Sequence, residues 1–319
     1  MFKIAFFGTK TYYRPYLESA FAENGISARF FDLALAPETM FFAKGNDGIC
    51  VPYTCTISRE MAHRLYAMGV KYLFAVGISK NGMQEIEDML QIIPVRAYSP
   101  ESVAEYSFAL FMAANRQLHR GYIRVRANNT NRSGLMGKNI AGSTVGVIGM
   151  GRVGRRVAEI YQGFHANVIS YDVEERENNP VESVSLEELL ERSDVVCIHI
   201  STTEQTYHMI NRNTLSRMKK DAILVSTSGE GIIDYYDLLE VLRKKKIGAV
   251  AIDYNRHEDD MFGIGSRMDK EELEDVITQM SALNNALITC NLSYFTEETL
   301  KLIADEFVQK IKELEADTQ

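Results

Sequence analysis

The sequence is short of features that mark several classes of protein. Its cysteines are few and scattered through apolar runs, at Cys50, Cys55, Cys197 and Cys290. No two of them have the close spacing of a zinc knuckle or a redox dithiol, so no metal site is expected and the thiols are predicted to be reduced and buried. Long hydrophobic runs are also missing. The N-terminal stretch MFKIAFFGTK is interrupted after a few residues, which predicts a cytoplasmic protein with neither signal peptide nor spanning helix.

Positively charged residues are also fewer than negatively charged ones. The chain has 35 Lys and Arg against 43 Asp and Glu, for a formal net charge of -8. Binding to nucleic acid relies on clustered cations, so nucleic acid is not an expected partner. The basic run at 243–246 ends a helical segment, where cations suit the helix dipole. With 319 residues, 46% of them hydrophobic, the chain can bury a large core, and two domains are expected at about 100 to 200 residues each.

What the sequence does contain is an alternation of short apolar runs with longer segments of helical periodicity. This pattern is typical of βα units around a parallel sheet. The runs form a first set at 3–8, 28–33, 48–51 and 72–76, and a second set at 145–149, 167–172, 195–200, 222–227, 248–253 and 286–290. The predicted fold class is therefore α/β, with two Rossmann-like, doubly wound parallel-sheet domains.

Two helical segments lie outside this alternation. Residues 99–126 read as one long, broadly apolar helix, with Pro100 and Glu101 suited to its first turn. A helix this apolar is expected to cross between domains, to pack against its copy in a second subunit, or both. The segment 297–314 is amphipathic, and its apolar stripe is predicted to dock on a domain.

A glycine-rich turn follows the apolar run VGVI, at Gly149, Gly151 and Gly154, and opens a helical segment beginning at Arg152 and Val153. Such a turn lets a pyrophosphate approach bare backbone at a helix N-terminus. The next apolar run ends at Asp172. A carboxylate there accepts hydrogen bonds from a ribose and repels a 2′-phosphate, which favours NAD over NADP.

Polar residues close the later runs of the second set. They are Ser201, which follows Ile200, then Thr227 and Ser228, and finally Asp253. Ligands of open α/β sheets bind at the carboxyl ends of the strands. These residues are therefore predicted to line the nicotinamide half of the site, and His199 and His208 are interpreted as structural.

Motifs along nearly the whole chain resemble the D-2-hydroxyacid dehydrogenases, in particular their D-lactate dehydrogenase-like members. The matching stretches are KIAFFGTK, AYSPESVAEY, TVGVIGMGRVGRRVA, GFHANVISYD, the segment 194–219 containing HMIN, GIIDYYDLLEVLRKKKIGAVAIDYNRHE and LITCNLSYFTEETL. The resemblance implies a protein that acts on a small-molecule substrate. It also implies a homodimer whose interface is formed by the helix near 100–120. It also implies an NAD-binding domain at 99–291 inserted into a discontinuous substrate domain at 1–98 and 292–319.

The same resemblance carries over a set of cofactor contacts. They are Arg152, Val153, Asp172, Ile200, Ser201, Thr206, Thr227, Ser228 and Asp253. Ser201 and Thr206 stand where many family members have Pro and Asn, so these two contacts rest on weaker matches.

The resemblance fails at the residues that carry the family's chemistry. Reduction of a 2-keto acid needs a cation to hold the carboxylate and an acid to protonate the developing alkoxide. The family's Arg position is Gly229 and its His position is Asn291, whereas the Glu is matched by Glu258. A second arginine position is aligned with Phe74, and Tyr98 is retained.

Two hypotheses follow from these changes. The first is an NAD-dependent oxidoreductase acting on a hydroxy acid or on an atypical carbonyl substrate, with Glu258 as the acid and His257, Tyr98 and Tyr294 as rivals. Arg96 or Arg256 would restore a cation if the substrate is a hydroxy acid. The second hypothesis is a non-catalytic NAD(H)-binding sensor or interaction protein.

Overall fold

The computed structural model describes residues 1–52, 55, 57–76, 84–174, 178–254 and 270–317. These residues form two compact units. Of the described residues, the first unit contains 1–99 and 295–317, and the second contains those between 100 and 294. Within the described ranges, no helix combines the length and apolarity needed to cross a bilayer.

The first unit is a five-stranded parallel sheet in the order β2-β1-β3-β4-β5. Its strands are β1 (Lys3–Phe7), β2 (Ser27–Phe31), β3 (Gly48–Pro52), β4 (Tyr72–Val76) and β5 (Gln91–Val95). Its helices are α1 (Arg14–Glu23), α2 (Arg59–Ala67) and α10 (Glu297–Asp317). The predicted apolar stripe of α10 is buried, at Leu300, Ile303, Phe307, Ile311 and Leu314. The docking of this helix on the first sheet is therefore confirmed.

The second unit is a seven-stranded parallel sheet in the order β12-β11-β10-β9-β6-β7-β8. Its strands are β6 (Thr144–Ile148), β7 (Asn167–Tyr171), β8 (Glu182–Ser183), β9 (Val195–Ile198), β10 (Ile223–Ser226), β11 (Ala249–Asp253) and β12 (Ala286–Thr289). Its helices are α3 (Pro100–Asn115), α4 (Leu118–Arg126), α5 (Arg152–Gly163), α6 (Leu186–Arg192), α7 (Arg212–Leu215), α8 (Tyr235–Arg243) and α9 (Lys270–Ser281). The two parallel sheets confirm the predicted fold class.

Strand β5 lies outside the predicted apolar runs because it contains Pro94, which has no N–H to donate. The structure places β5 at the edge of the first sheet, where a missing donor is tolerated. The two-residue strand β8, at the opposite end of the second sheet, is too short to leave a pattern in the sequence.

The prediction of a single helix over 99–126 is wrong, because the helix is interrupted between α3 and α4. Gln117 adopts a left-handed conformation with φ of 52°. Asn115 ends α3 by exchanging two hydrogen bonds with Lys138, through Nδ2 to the Lys138 oxygen (2.8 Å) and from the Lys138 nitrogen to Oδ1 (3.2 Å). The local sequence suits a helix throughout, so a contact with a residue distant in sequence decides the break.

The prediction that all four thiols are buried also needs correction. Cys50 and Cys197 are buried, but Cys55 is half-buried and Cys290 is exposed. Cys290 differs because it follows the last residue of β12, where the chain leaves the sheet. All four are free thiols, as predicted.

Candidate active site

The glycine turn after β6 has the geometry that a pyrophosphate site requires. Gly149 has φ of +96°, and a Cβ there would overlap the backbone of His199. A Cβ on Gly154 would overlap the Gly149 carbonyl oxygen, so this glycine lets α5 pack closely on the turn. A Cβ on Gly151 would meet nothing within 4 Å. The space beside Gly151 is therefore open to a ligand.

Helix α5 supplies the positive end of its dipole to that space. Gly151 is its N-cap residue and has no side chain to occupy the first N–H groups. The unpaired N–H groups of a helix start, together with the dipole, favour an anion. Arg152 and Val153 form the first turn, as predicted, and Arg152 is exposed there. The turn thus fits a dinucleotide pyrophosphate.

Asp172 lies directly beside this turn. Its Oδ2 accepts a hydrogen bond from the Met150 nitrogen at 2.7 Å, and its Oδ1 accepts one from the Glu174 nitrogen at 3.2 Å. A carboxylate at this place in a dinucleotide-binding fold accepts hydrogen bonds from ribose hydroxyls. The position of the carboxylate agrees with the predicted preference for NAD.

The ends of β9 and β10 are joined through His199. Its Nδ1 lies 3.2 Å from Thr227 Oγ1, and its Nε2 lies 3.3 Å from Ser107 Oγ on α3. Burial lowers the pKa of His199 to about 3, so the imidazole is neutral. A neutral imidazole has one donor and one acceptor nitrogen, which both hydroxyls satisfy. This geometry agrees with the structural interpretation of His199.

Ser228 strengthens the same edge, because its hydroxyl donates to the Ile198 oxygen at 2.9 Å. Ile200 and Ser201 follow β9, and Ser201 is exposed. Thr206, in contrast, is fully buried, and its hydroxyl donates to the Ser201 oxygen at 2.7 Å and accepts from the Thr203 nitrogen at 2.7 Å. Its predicted direct contact with the cofactor does not fit this arrangement, since the hydroxyl holds the 201–206 loop together.

Asp253, at the end of β11, organises the turn after β12. Its Oδ1 accepts from Thr289 Oγ1 at 2.7 Å and from the Leu292 nitrogen at 3.0 Å. Its Oδ2 accepts from the Ser293 nitrogen at 2.7 Å. The buried carboxylate therefore clamps the turn that contains Cys290 and Asn291, and one of its lone-pair sites remains for a ligand donor.

The two altered positions lie at the carboxyl edge of this sheet, in turns that differ in conformation. Gly229 follows β10 with φ of -60° and ψ of 161°, a conformation open to any residue. Asn291 follows β12 with φ of 54°, a left-handed conformation in which Asn and His are enriched among non-glycine residues. Neither backbone conformation excludes the Arg or His of the family. The chemistry at both positions is therefore set by the side chain.

The remaining candidates for proton transfer and for holding a carboxylate lie in different parts of the chain, and some lie outside the described residues. Glu258 lies outside the described residues, as do its rival His257 and the alternative cation Arg256. Tyr98 and Arg96 belong to the first unit, whereas Tyr294 belongs to the second. Phe74 is fully buried in mid-strand and packs against Phe2 and Phe307, and its alignment with a family arginine stays a prediction.

Three residues of this network were missed at the sequence level: Ser107 and Tyr106 on α3, and Thr289 at the end of β12. Burial is the largest cause of the raised pKa of the Tyr106 phenol, and the Thr289 side chain lowers that pKa in part. Only Thr289 had a signal in the sequence, because it ends a predicted strand. Among the described residues, no group of three His, Cys, Asp or Glu side chains is arranged to hold a metal.

These features define a dinucleotide-binding α/β protein with a site at the carboxyl edge of its larger sheet. Comparison with known proteins identifies the group within that class. Residues 108–289 match the family model described as D-isomer specific 2-hydroxyacid dehydrogenase, NAD binding domain. The chain belongs to the D-isomer specific 2-hydroxyacid dehydrogenase family.

Individual relatives are similar over almost their full length. A 2-hydroxyacid dehydrogenase homolog of Haemophilus influenzae is 34% identical, covering 98% of this chain and 96% of that protein. The D-lactate dehydrogenase of Escherichia coli is 32% identical, covering 98% and 97%. The solved structure of Salmonella D-lactate dehydrogenase superposes with a TM-score of 0.87 at 32% identity, covering 98% and 97%.

A structure with bound cofactor is similar as well. The NAD complex of a D-isomer specific 2-hydroxyacid dehydrogenase from Lactobacillus delbrueckii has a TM-score of 0.81 at 25% identity, covering 97% of this chain and 96% of that one. The predictions of the family, of NAD as the cofactor and of an NAD-dependent oxidoreductase of the CH-OH class are thereby confirmed. The roles of individual site residues stay predictions.

Proposed function

We propose that the protein transfers hydride between NAD(H) and a carbonyl or alcohol substrate that differs from the family's 2-hydroxy acids. The observation that carries the proposal is the contrast between an ordered cofactor edge and the side chains at Gly229 and Asn291. A guanidinium and an imidazole are expected at these positions from the family pattern. Neither is supplied there, although the backbone at both positions would accept them.

The size of the loss makes a standard 2-keto acid a poor substrate. Removing one charge-stabilising donor costs about 100- to 1,000-fold in kcat, and a missing general acid costs about 100- to 10,000-fold. The two losses need not add, since both groups act on the same transition state. A ketone, an imine or another substrate without a carboxylate does not need the cation.

When bound, NADH supplies the hydride, and the side chains must hold the substrate and deliver a proton. The Asn291 carboxamide can donate a hydrogen bond to a substrate oxygen but cannot release a proton near neutral pH. We therefore assign proton transfer to another group. Glu258 is our first choice, with His257, Tyr98 and Tyr294 as the alternatives.

The test combines cofactor binding with a substrate panel. Quenching of protein fluorescence by NADH measures binding, and absorbance at the nicotinamide band measures turnover with ketones, imines and 2-keto acids. We expect NADH to bind and a carbonyl compound without a carboxylate to be reduced faster than any 2-keto acid. Fast reduction of a 2-keto acid would refute the proposal, and would point to a cation supplied by Arg96 or Arg256.

Binding of NADH without turnover across the panel would instead support the non-catalytic sensor. A Glu258→Gln variant separates the proton donors in an active protein. Its turnover should fall about 100-fold or more if Glu258 is the acid, with NADH binding unchanged. Full turnover in this variant would transfer the role to one of the three alternatives.

The proposal includes the domain assignment implied by the resemblance. Residues 1–98 with 292–319 would form the substrate domain, and residues 99–291 the NAD-binding domain. The two compact units support this division, although they divide at Ser99 and Tyr294. A cytoplasmic location is also part of the proposal, and four free thiols fit a reducing compartment.

The proposed homodimer forms through α4 and the end of α3. Helix α4 buries none of its residues within the chain, and its exposed apolar side chains are Leu118 (59%), Tyr122 (63%), Ile123 (62%) and Val125 (63%). The segment 116–138 has five arginines and a lysine but no Asp or Glu, in a chain of net charge -8. The exposed apolar side chains, rather than the charge, support an interface with a second copy of this chain, because a homodimer through this helix places the same surface on both sides.

Light scattering on size-exclusion fractions tests the dimer. Ile123→Glu should convert the dimer to a monomer, because it buries a charge in the proposed interface. Leu33→Glu is the matched control, since Leu33 is also exposed (52%) but lies in the first unit. A mass unchanged in Ile123→Glu would exclude this interface.

A further inference from the structure

The segment 96–99 leaves the first sheet at its edge and contains Tyr98, a candidate group of the proposed function. It follows β5, and among the described residues the pairing of β5 with β4 ends at Val95 opposite Val76. Beyond that point the backbone N–H groups of the segment need acceptors from another element. They find them on α10, which is about 200 residues away in the sequence.

Glu306 of α10 supplies the first acceptor. Its Oε2 accepts one hydrogen bond from the Arg96 nitrogen at 2.7 Å and a second from the Ala97 nitrogen at 2.6 Å. Successive backbone N–H groups can form a concave site that favours an anion, and hydrogen bonds to a carboxylate are about twice as strong as those between neutral groups. The Glu306 carboxylate therefore fixes two consecutive peptide groups of the segment.

Thr299 supplies an acceptor at the other end of the segment. Thr299 is fully buried, and its Oγ1 accepts a hydrogen bond from the Ser99 nitrogen at 3.4 Å. Thr299 and Glu306 are separated by about two turns of helix, so they lie on the same face of α10. The segment thus runs antiparallel to α10, and Tyr98 lies between two residues that are attached to this helix.

Helix α10 is itself held by the core of the first unit. Phe307, the residue after Glu306, is buried, and its ring centroid lies 5.3 Å from that of Phe6 and 5.5 Å from that of Phe74. Ile303 is buried in the same cluster. Hydrophobic packing therefore sets the position of α10 on the sheet, and the Glu306 carboxylate transmits that position to the segment.

We propose that Glu306 is a positioning residue that holds the backbone next to Tyr98. It acts through the peptide groups of Arg96 and Ala97, and all of these residues belong to the first unit. Misplacement of a group at a reaction centre by about 1 Å can cost about 100-fold in rate. That Tyr98 serves the reaction rests on the proposed function, whereas the attachment of the segment to α10 does not.

Amide hydrogen exchange on the full chain tests the attachment without any need for activity. Glu306→Ala leaves both N–H groups without this acceptor and should speed exchange at Arg96 and Ala97 by about tenfold or more, the effect of one hydrogen bond to a charged group. Glu306→Gln keeps an acceptor oxygen without the charge, so its exchange should lie between those of the parent and Glu306→Ala. Exchange in β1 should stay unchanged in both variants.

Asp305→Ala is the matched control, because Asp305 is the neighbouring acid on the same helix and is exposed. It removes the same charge and should leave exchange at Arg96 and Ala97 as in the parent. Unchanged exchange at these two residues in Glu306→Ala would overturn the proposal. Equal acceleration throughout the first sheet would also overturn it, because Glu306 would then support the whole unit rather than the segment.

A double-mutant cycle tests whether Glu306 acts on the reaction through Tyr98. Glu306→Ala should lower kcat/KM for the carbonyl substrate by about tenfold with the Kd for NADH unchanged, and Glu306→Gln should recover part of the loss. In a Tyr98→Ala background, Glu306→Ala should cause little further loss, because the two residues act in series. Additive losses would overturn the positioning of Tyr98. A parent protein without turnover would refute the proposed function, while the exchange data would still decide the attachment.

Discussion

Glycine occupies two turns at the carboxyl edge of the second sheet, but the two turns use it differently. In the turn after β6, Gly149 needs its positive φ and Gly154 leaves no room for a Cβ. In the turn after β10, Gly229 has an ordinary extended conformation. The first turn requires glycine for its geometry, whereas the second contains it without a backbone reason.

The first turn is constrained by its backbone geometry, and the second only by the chemistry of its side chains. The cofactor turn retains every feature that binding a pyrophosphate requires, so its sequence and its geometry agree. In the turn with Gly229, the hydroxyls of Thr227 and Ser228 hydrogen-bond to His199 and to the Ile198 oxygen. The arginine expected there from the family pattern is replaced by glycine in our alignment. In the proposed function, the scaffold of the site is kept and the groups that contact the substrate are changed.

The largest expected effect comes from restoring those groups. The double variant Gly229→Arg with Asn291→His should raise kcat/KM for 2-keto acid reduction by at least about 100-fold, because a cation and a proton donor return together. Steady-state kinetics with pyruvate as the test substrate measure the gain. Gly229→Ala with Asn291→His is the control, which has no cation and should stay well below the double variant. A double variant as slow as its parent would mean that more than these two side chains has changed.

The cofactor turn should respond in the opposite way, because substitution there damages it. Gly154→Ala should lower the free energy of unfolding by about 2 to 3 kcal/mol through overpacking against Gly149, and should weaken NADH binding. Gly163→Ala in the same helix is the control, since a Cβ there meets nothing within 4 Å. Chemical denaturation and fluorescence titration measure the two effects. Equal stability of the two variants would contradict the packing role of Gly154.

Asp172 offers a smaller test of the same turn. Asp172→Ser should weaken NADH binding by about tenfold or more, the value of one hydrogen bond to a charged group. Binding of NADPH should improve relative to NADH, because the repulsion of a 2′-phosphate is removed. The ratio of the two dissociation constants is the measurement, and an unchanged ratio would remove Asp172 from the ribose site.

The smallest effect concerns pH, through His199. Its pKa in the folded protein is about 3, below the ordinary value of about 6.5. The unfolded chain therefore takes up a proton at this residue between pH 6.5 and pH 3, and the folded chain does not. The contribution to stability is present above pH 6.5 and is lost as the pH falls.

Part of the His199 surface is accessible, so we expect a loss of only about 1 to 2 kcal/mol between pH 7 and pH 5. Urea denaturation at the two pH values measures it. His199→Gln should show a loss that is smaller by this amount. Identical pH dependence in the two proteins would show that His199 titrates normally when folded.

Much of the fold could be predicted from the sequence, because local patterns of apolar and polar residues indicate the strands and helices. Apolar runs located ten of the described strands to within about two residues, and the stripe on α10 located its buried face. The failures have tertiary causes. Strand β5 is allowed by its edge position despite Pro94, and α3 ends where Asn115 bonds to Lys138.

The sequence also indicated at which edge of the second sheet the candidate site lies. Glycine spacing, Asp172 and the polar strand ends marked the cofactor edge, since such motifs depend on residues close in sequence. Ser107 carried no signal, because its partner His199 is distant in sequence. The burial of Phe74 in mid-strand was not visible in the motif either, because a motif does not show which residues of a strand reach the sheet edge.

By itself, the sequence determined the α/β class, the family and NAD as the cofactor, and it predicted that Gly229 and Asn291 stand where the family has Arg and His. These follow from residue identity and short-range spacing, which fix hydrophobic periodicity and the chemistry of each side chain. Only the tertiary structure decided that Thr206 is buried, that α3 and α4 are separate helices, and that Ser107 on α3 lies against His199. Each of these depends on hydrogen bonds and packing between parts of the chain that come together only when it folds.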